Sequence, residues 1–150
     1  MPEGTIVSTK DKNGEGETYT SDEEHKLEIP LSVLTNGNSA SASEIFAGAV
    51  QDYGVGTLVG TTTFGKGIVQ QIFPLTDGTS IKLTISEYFT PKGRNIHGTG
   101  IDPDVEVEYE YNEEDPAADN QLEKAIEIVK GNGMVEKMVE KIKKYLYIWR

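Results

Sequence analysis

The sequence predicts an α/β fold: a mixed sheet built partly from hairpins, a candidate nucleophile at a helix N-terminus, and helices at the C-terminal end. Three observations predict it. Ile45, Phe46, Ala49, Val50 and Tyr53 recur at helical spacing, and Gly54 stands where a helix would stop. Leu31 to Leu34 and Gly56 to Val59 are apolar runs of strand length. Asn13-Gly14 and Asp77-Gly78 are hairpin turn signals.

The chain has 150 residues, 36% of them hydrophobic, enough for one domain with a sizeable core. Residues 1–130 read as that core and 131–150 as an amphipathic C-terminal helix. There is no cysteine, so a disulfide framework, a thiolate nucleophile and a cysteine metal site are excluded. The first residues do not resemble a signal peptide, and no apolar stretch approaches the roughly 20 residues that span a bilayer. A net charge of -11 disfavours nucleic acid, whose phosphates need clustered lysine and arginine. Nine acids and no lysine or arginine fall between Asp102 and Asp119.

In chain order, Thr5 to Thr9 and Glu17 to Thr20 flank Asn13-Gly14 as an edge hairpin, and Ser21 to Lys26 is a polar connection. The strand Leu31 to Leu34 runs through a tight turn into the helix that starts at Ser41. After Gly56 to Val59, the apolar run Ile68 to Phe73 ends at Pro74, which favours a strand. Thr79 to Thr90 then alternates Ile81, Leu83 and Ile85 with Ser80, Lys82, Thr84 and Ser86, the far arm of a second hairpin. Asp104 to Tyr111 alternates acids with Val105, Val107, Tyr109 and Tyr111, a strand with one wet face. It lacks the glycine and spacing of a calcium loop. Asn120 caps a helix over Gln121 to Lys130 stopped by Gly131. Met134 to Trp149 forms a last helix whose Met and Trp face packs on the core or makes a homo-oligomer contact.

Two residues carry the candidate chemistry. Ser41-x-x-Glu44 is a capping box, yet a helix start also favours a developing oxyanion, so this serine can cap and act as nucleophile if a base is near. Lys66 follows 25 residues later between two glycines, ahead of an apolar run. It is either a snorkelling surface lysine or, with its ammonium desolvated, a general base. In a flat strand Lys66 and Gln70 would share a face about 13 Å apart at roughly 3.3 Å per residue, so their side chains meet only across a turn or a bulge. Gly60-x-x-x-x-Gly65-Lys66 matches most of a phosphate-binding loop, but Gly67 replaces the magnesium-binding hydroxyl and a strand follows instead of a helix. Nucleotide binding is thus the remote alternative. His97 with Asp102 or Asp104 offers a triad, but a base and acid so close on one loop favour a structural or solvated histidine.

Five ordered motifs resemble one family. They are Ser39-Ala40-Ser41-Ala42-Ser43-Glu44-Ile45, Gln51-Asp52-Tyr53-Gly54, Gly60-Thr61-Thr62-Thr63-Phe64-Gly65-Lys66-Gly67, Tyr88-Phe89-Thr90-Pro91-x-Gly93-Arg94 and Gly98-Thr99-Gly100-Ile101-x-Pro103-Asp104. Over roughly Pro2 to Lys130 the chain is similar to the core of the C-terminal processing (tail-specific) serine peptidases. That resemblance implies Ser41 as nucleophile, Lys66 as general base, Gln70 as the group orienting the lysine, and the Ala42 amide in the oxyanion hole. It implies a ClpP and crotonase-like spiral core, here partial, polypeptide substrates cut near their C-termini, no cofactor, and a parent protein outside the cytoplasm or at a membrane. The chain departs from the family in lacking the upstream Asn-Pro-Gly-Gly segment and the PDZ domain, and in carrying Asn38 where glycine is usual. A truncated, non-catalytic piece is therefore the alternative.

Overall fold

The computed structural model describes residues 1–26 and 28–131. The last helix expected from Met134, with its core or dimer contact, lies outside them.

Tight turns decide half of the topology. β1 (Gly4–Lys10) and β2 (Thr18–Ser21) are antiparallel around a turn in which the Asp11 carboxylate accepts the Asn13 and Glu15 amides at 2.8 and 2.9 Å. β5 (Ile68–Pro74) and β6 (Ser80–Phe89) are antiparallel across Asp77-Gly78, with Gly78 at φ 86°. Together they form a four-stranded sheet ordered β2-β1-β6-β5.

The other half is a crossover. β3 (Ser32–Thr35), α1 (Ala42–Tyr53) and β4 (Thr57–Gly60) form a βαβ unit, and β7 (Val105–Glu106) extends it to a parallel sheet ordered β3-β4-β7. The single mixed sheet expected from sequence is therefore two sheets. The reason is connection length: the short turns at 12–14 and 76–78 join antiparallel strands, whereas the helical crossover lets β3 and β4 run parallel. Between them, Val7, Ala47, Val50, Leu58, Tyr88, Ile96 and Ile101 make the core.

Two further expectations are corrected, and one property of the hairpin was left open by its pattern: the apolar side chains of β5 and β6 are not all covered, Ile72 being 62% and Leu83 49% exposed. β1 ends at Lys10, opposite Glu87, so among the described residues the ribbon beyond that point has no third strand beside it. The strand over 104–111 shrinks to Val105–Glu106, because the Glu108 carbonyl and Glu110 amide bond the Asn120 side chain at 2.7 and 3.1 Å instead of a strand. With its side chain so used, Asn120 does not cap α2 (Asn120–Gly131); Asp119 does, its carboxylate accepting the Leu122 amide at 2.9 Å. Among the described residues no helix is long and apolar enough to cross a membrane.

Candidate active site

Ser41 sits where β3 has turned into α1, and its backbone is unusual. At φ 57° and ψ -113° it is the one non-glycine residue with positive φ among the described residues. An L-residue held there costs of order 1–3 kcal/mol and persists only where its surroundings over-determine it. Ser41→Gly should therefore raise stability by about 1 kcal/mol while Ser41→Ala stays near wild type. Equal urea midpoints for the two variants would show that the backbone is unstrained.

What over-determines it is Glu44, expected only as a capping residue. Its Oε2 accepts the Ser41 amide at 2.9 Å, the returning half of the capping box. The Ser41 hydroxyl lies towards the N3 amide as a box requires, but makes no well-directed capping bond. That amide, of Glu44, donates instead to the Ser41 carbonyl at 2.9 Å.

The same carboxylate gathers the loop that bears Lys66. Glu44 Oε2 also accepts the Lys66 amide at 2.8 Å, and Oε1 accepts the Gly65 amide at 2.7 Å and the Thr63 hydroxyl at 2.6 Å. The backbone nitrogens of Ser41 and Lys66 are thus no further apart than the sum of their two bonds to one oxygen. Glu44 is fully buried. A carboxylate accepting four donors is a charge that its neighbours compensate. The Phe64 amide adds a stitch to the Ser39 carbonyl at 2.9 Å, and Gly65, at φ 85°, admits the close approach of the 98–100 backbone.

Tyr88 closes the arrangement from the sheet side. Its hydroxyl donates to the Lys66 carbonyl and lies 3.3 Å from the Ser41 carbonyl. Burial first, and the Glu44 charge second, push this phenol up to about 12.

The other predicted residues fall as follows. Lys66 is half-buried, and among the described residues the lysine salt bridges are Lys26 to Glu28 and Lys124 to Glu127, neither of which involves it. Gln70 is exposed on β5, and its amide reaches Thr84 Oγ1 at 3.4 Å rather than Lys66. A register shift lies between Val69 and Gln70. Ala42 opens α1 with an amide that has no partner among the described residues, as helix starts leave them. Beside it, a hollow of about 430 Å³ lies between Val33, Leu34 and Thr35 of β3 and Ser39, Ala42 and Phe46. A larger one, about 550 Å³, lies around Ile29, Leu31, Val50 and Val55; neither hollow has Ser41 or Lys66 in its lining, but the first includes Ala42 and Ser43.

The alternatives lose their parts. The anion on the amides of Gly65 and Lys66 is the chain's own Glu44, and strand β5 follows, so the phosphate-loop match has no phosphate site. Asp102 accepts the Thr62 hydroxyl at 2.7 Å, and Asp104 accepts the Leu58 amide at 2.8 Å and Gln51 Nε2 at 3.0 Å. His97 is exposed and its amide bonds Asn95. Asp52, with Gln51, serves structure too: it accepts Arg94 Nη2 at 2.5 Å and the Lys92 amide at 2.8 Å.

Sequence reasoning missed Glu44 and Tyr88 as site residues. The signal for Glu44 was its place in the first turn of α1 beside the small buried Ala47, Gly48 and Ala49. The signal for Tyr88 was its place at the head of the fourth ordered motif.

Comparison with known proteins gives the following. Residues 1–107 match Peptidase family S41. A carboxyl-terminal-processing protease of Synechocystis sp. is 44% identical over 134 residues, covering 87% of this chain and 31% of that protein. The carboxy-terminal processing protease CtpB of Bacillus subtilis is 45% identical over 101 residues, 67% of this chain and 21% of its own. Among solved structures, the photosystem II D1 C-terminal processing protease superposes with a TM-score of 0.64 at 37% identity, over 72% of this chain and 28% of that one. The chain thus spans about a third or less of the length of these relatives.

Proposed function

The chain belongs to peptidase family S41, and from that premise we propose that it is the catalytic part of a serine endopeptidase that cuts polypeptides near their C-termini through an acyl-enzyme. Ser41 Oγ attacks the scissile carbonyl, and its proton passes to the neutral amine of Lys66, which later returns it to the leaving amine. The Ala42 amide, at the positive end of α1, receives the oxyanion. Gln70 orients the lysine once its amide leaves Thr84 Oγ1, where it rests at 3.4 Å; the bulge between Val69 and Gln70, which breaks the flat strand between the two, supports this. The hollow beside Ala42, with Val33, Leu34 and Phe46 on its walls, suits an apolar substrate side chain next to the scissile bond. The βαβ unit with the nucleophile on its turn supports a ClpP and crotonase-like core.

One observation carries the reading: a single buried carboxylate oxygen binds the backbone of both Ser41 and Lys66. A fluorogenic peptide assay tests it. Wild type is expected to turn over, and Ser41→Ala and Lys66→Ala to fall by at least about 10³-fold. Equal background in all three rejects catalysis by this chain.

A further inference from the structure

Lys66 is held at both backbone groups, and each holder also holds Ser41. Its amide donates to Glu44, which also accepts the Ser41 amide; its carbonyl accepts the Tyr88 hydroxyl, whose oxygen lies 3.3 Å from the Ser41 carbonyl, so one phenol proton is shared between the two oxygens. We propose that Tyr88 is a positioning residue of the reaction: its hydroxyl, set between the carbonyl oxygens of Ser41 and Lys66, fixes nucleophile and base relative to one another. This rests on the peptidase reading above.

Three observations support the assignment. The clasp is mounted rigidly: Tyr88 lies on β6 between β1 and β5, opposite Thr9, and its amide donates to the Gly67 carbonyl at 3.0 Å. It is also required locally. The Ser41 carbonyl has the Glu44 and Ile45 amides at 2.9 and 3.0 Å, whereas among the described residues the Lys66 carbonyl has the phenol alone. Without it the peptide plane after Lys66 turns more freely, and with it the direction in which the lysine side chain leaves. Third, the hydroxyl remains a donor, because burial and the Glu44 charge keep it protonated until pH approaches about 12. Tyr88 is only 3% exposed, and phenylalanine would fill the same core space. The hydroxyl is what the site adds.

The test treats the intact chain with p-nitrophenyl acetate and reads acetylation of Ser41 against exposed Ser43 on the same turn by peptide mass spectrometry. Wild type is expected to favour Ser41. Tyr88→Phe should cut the Ser41 to Ser43 ratio by about 10²-fold, the order of loss that an ångström of misplacement brings. Ile96→Val, a core change that leaves the clasp intact, should not move it. An unchanged ratio in folded Tyr88→Phe overturns the proposal and leaves the phenol a core hydrogen bond. A wild type without preference for Ser41 instead refutes the peptidase reading, and this inference with it. Should Tyr88→Phe fail to fold, 3-fluorotyrosine at position 88 keeps the shape with a more acidic phenol. Its ratio should then collapse at lower alkaline pH than wild type, and an unmoved alkaline edge overturns the proposal.

Discussion

Glu44→Ala should cost at least about 4 kcal/mol of stability, because it strands four donors that now share one carboxylate, at about 1–3 kcal/mol for each left unsatisfied. Those donors are the amides of Ser41, Gly65 and Lys66 and the Thr63 hydroxyl. The loss is comparable to the whole stability of a small domain, about 5–15 kcal/mol, so the variant should be largely unfolded in mild urea. Glu44→Gln keeps the shape but turns one acceptor into a donor that faces other donors. It should fall between wild type and Glu44→Ala in urea midpoint. If Glu44→Ala unfolds with a wild-type midpoint, the carboxylate does not organise the site.

Asp52→Ala should lower stability by about 2 to 3 kcal/mol, somewhat less than the 3–5 typical when a fully buried ion pair loses one partner. The Asp52 side chain is 2% exposed, but Arg94 is 41% exposed and keeps Gln51 Oε1 at 3.0 Å, so its charge regains water. What remains without a partner is the Lys92 amide, which fastens the loop after β6 to the end of α1. A urea titration of Asp52→Ala beside Arg94→Ala measures both sides. The arginine variant should be the worse of the two, since it leaves a carboxylate buried without its cation. Equal midpoints would mean that the pair is screened as surface pairs are.

The local elements were legible because their causes are local. The α1 stripe and Gly54, which adopts the left-handed conformation at the helix end, are written in adjacent residues, as are the turns at Asn13-Gly14 and Asp77-Gly78. Failures came where the competitor was distant in the chain. Asn120 looked like a cap until it met Glu108 and Glu110, and the alternating acids looked like a strand until those same bonds removed the ladder. Ile72 and Leu83 had strand periodicity, but periodicity does not say whether a second layer arrives to cover it.

For the site the division is similar. By itself the sequence determined which residue types could do the chemistry, a serine at a helix start and a lysine between glycines, and through ordered motifs the family they resemble. The tertiary structure alone decided that residues 25 positions apart are bound to one oxygen of Glu44 and one hydroxyl of Tyr88. A carboxylate's partners are chosen by burial. Once folding removes water from Glu44, the only way to compensate its charge is to draw in whichever amides the packed loops bring near, and no local pattern names them.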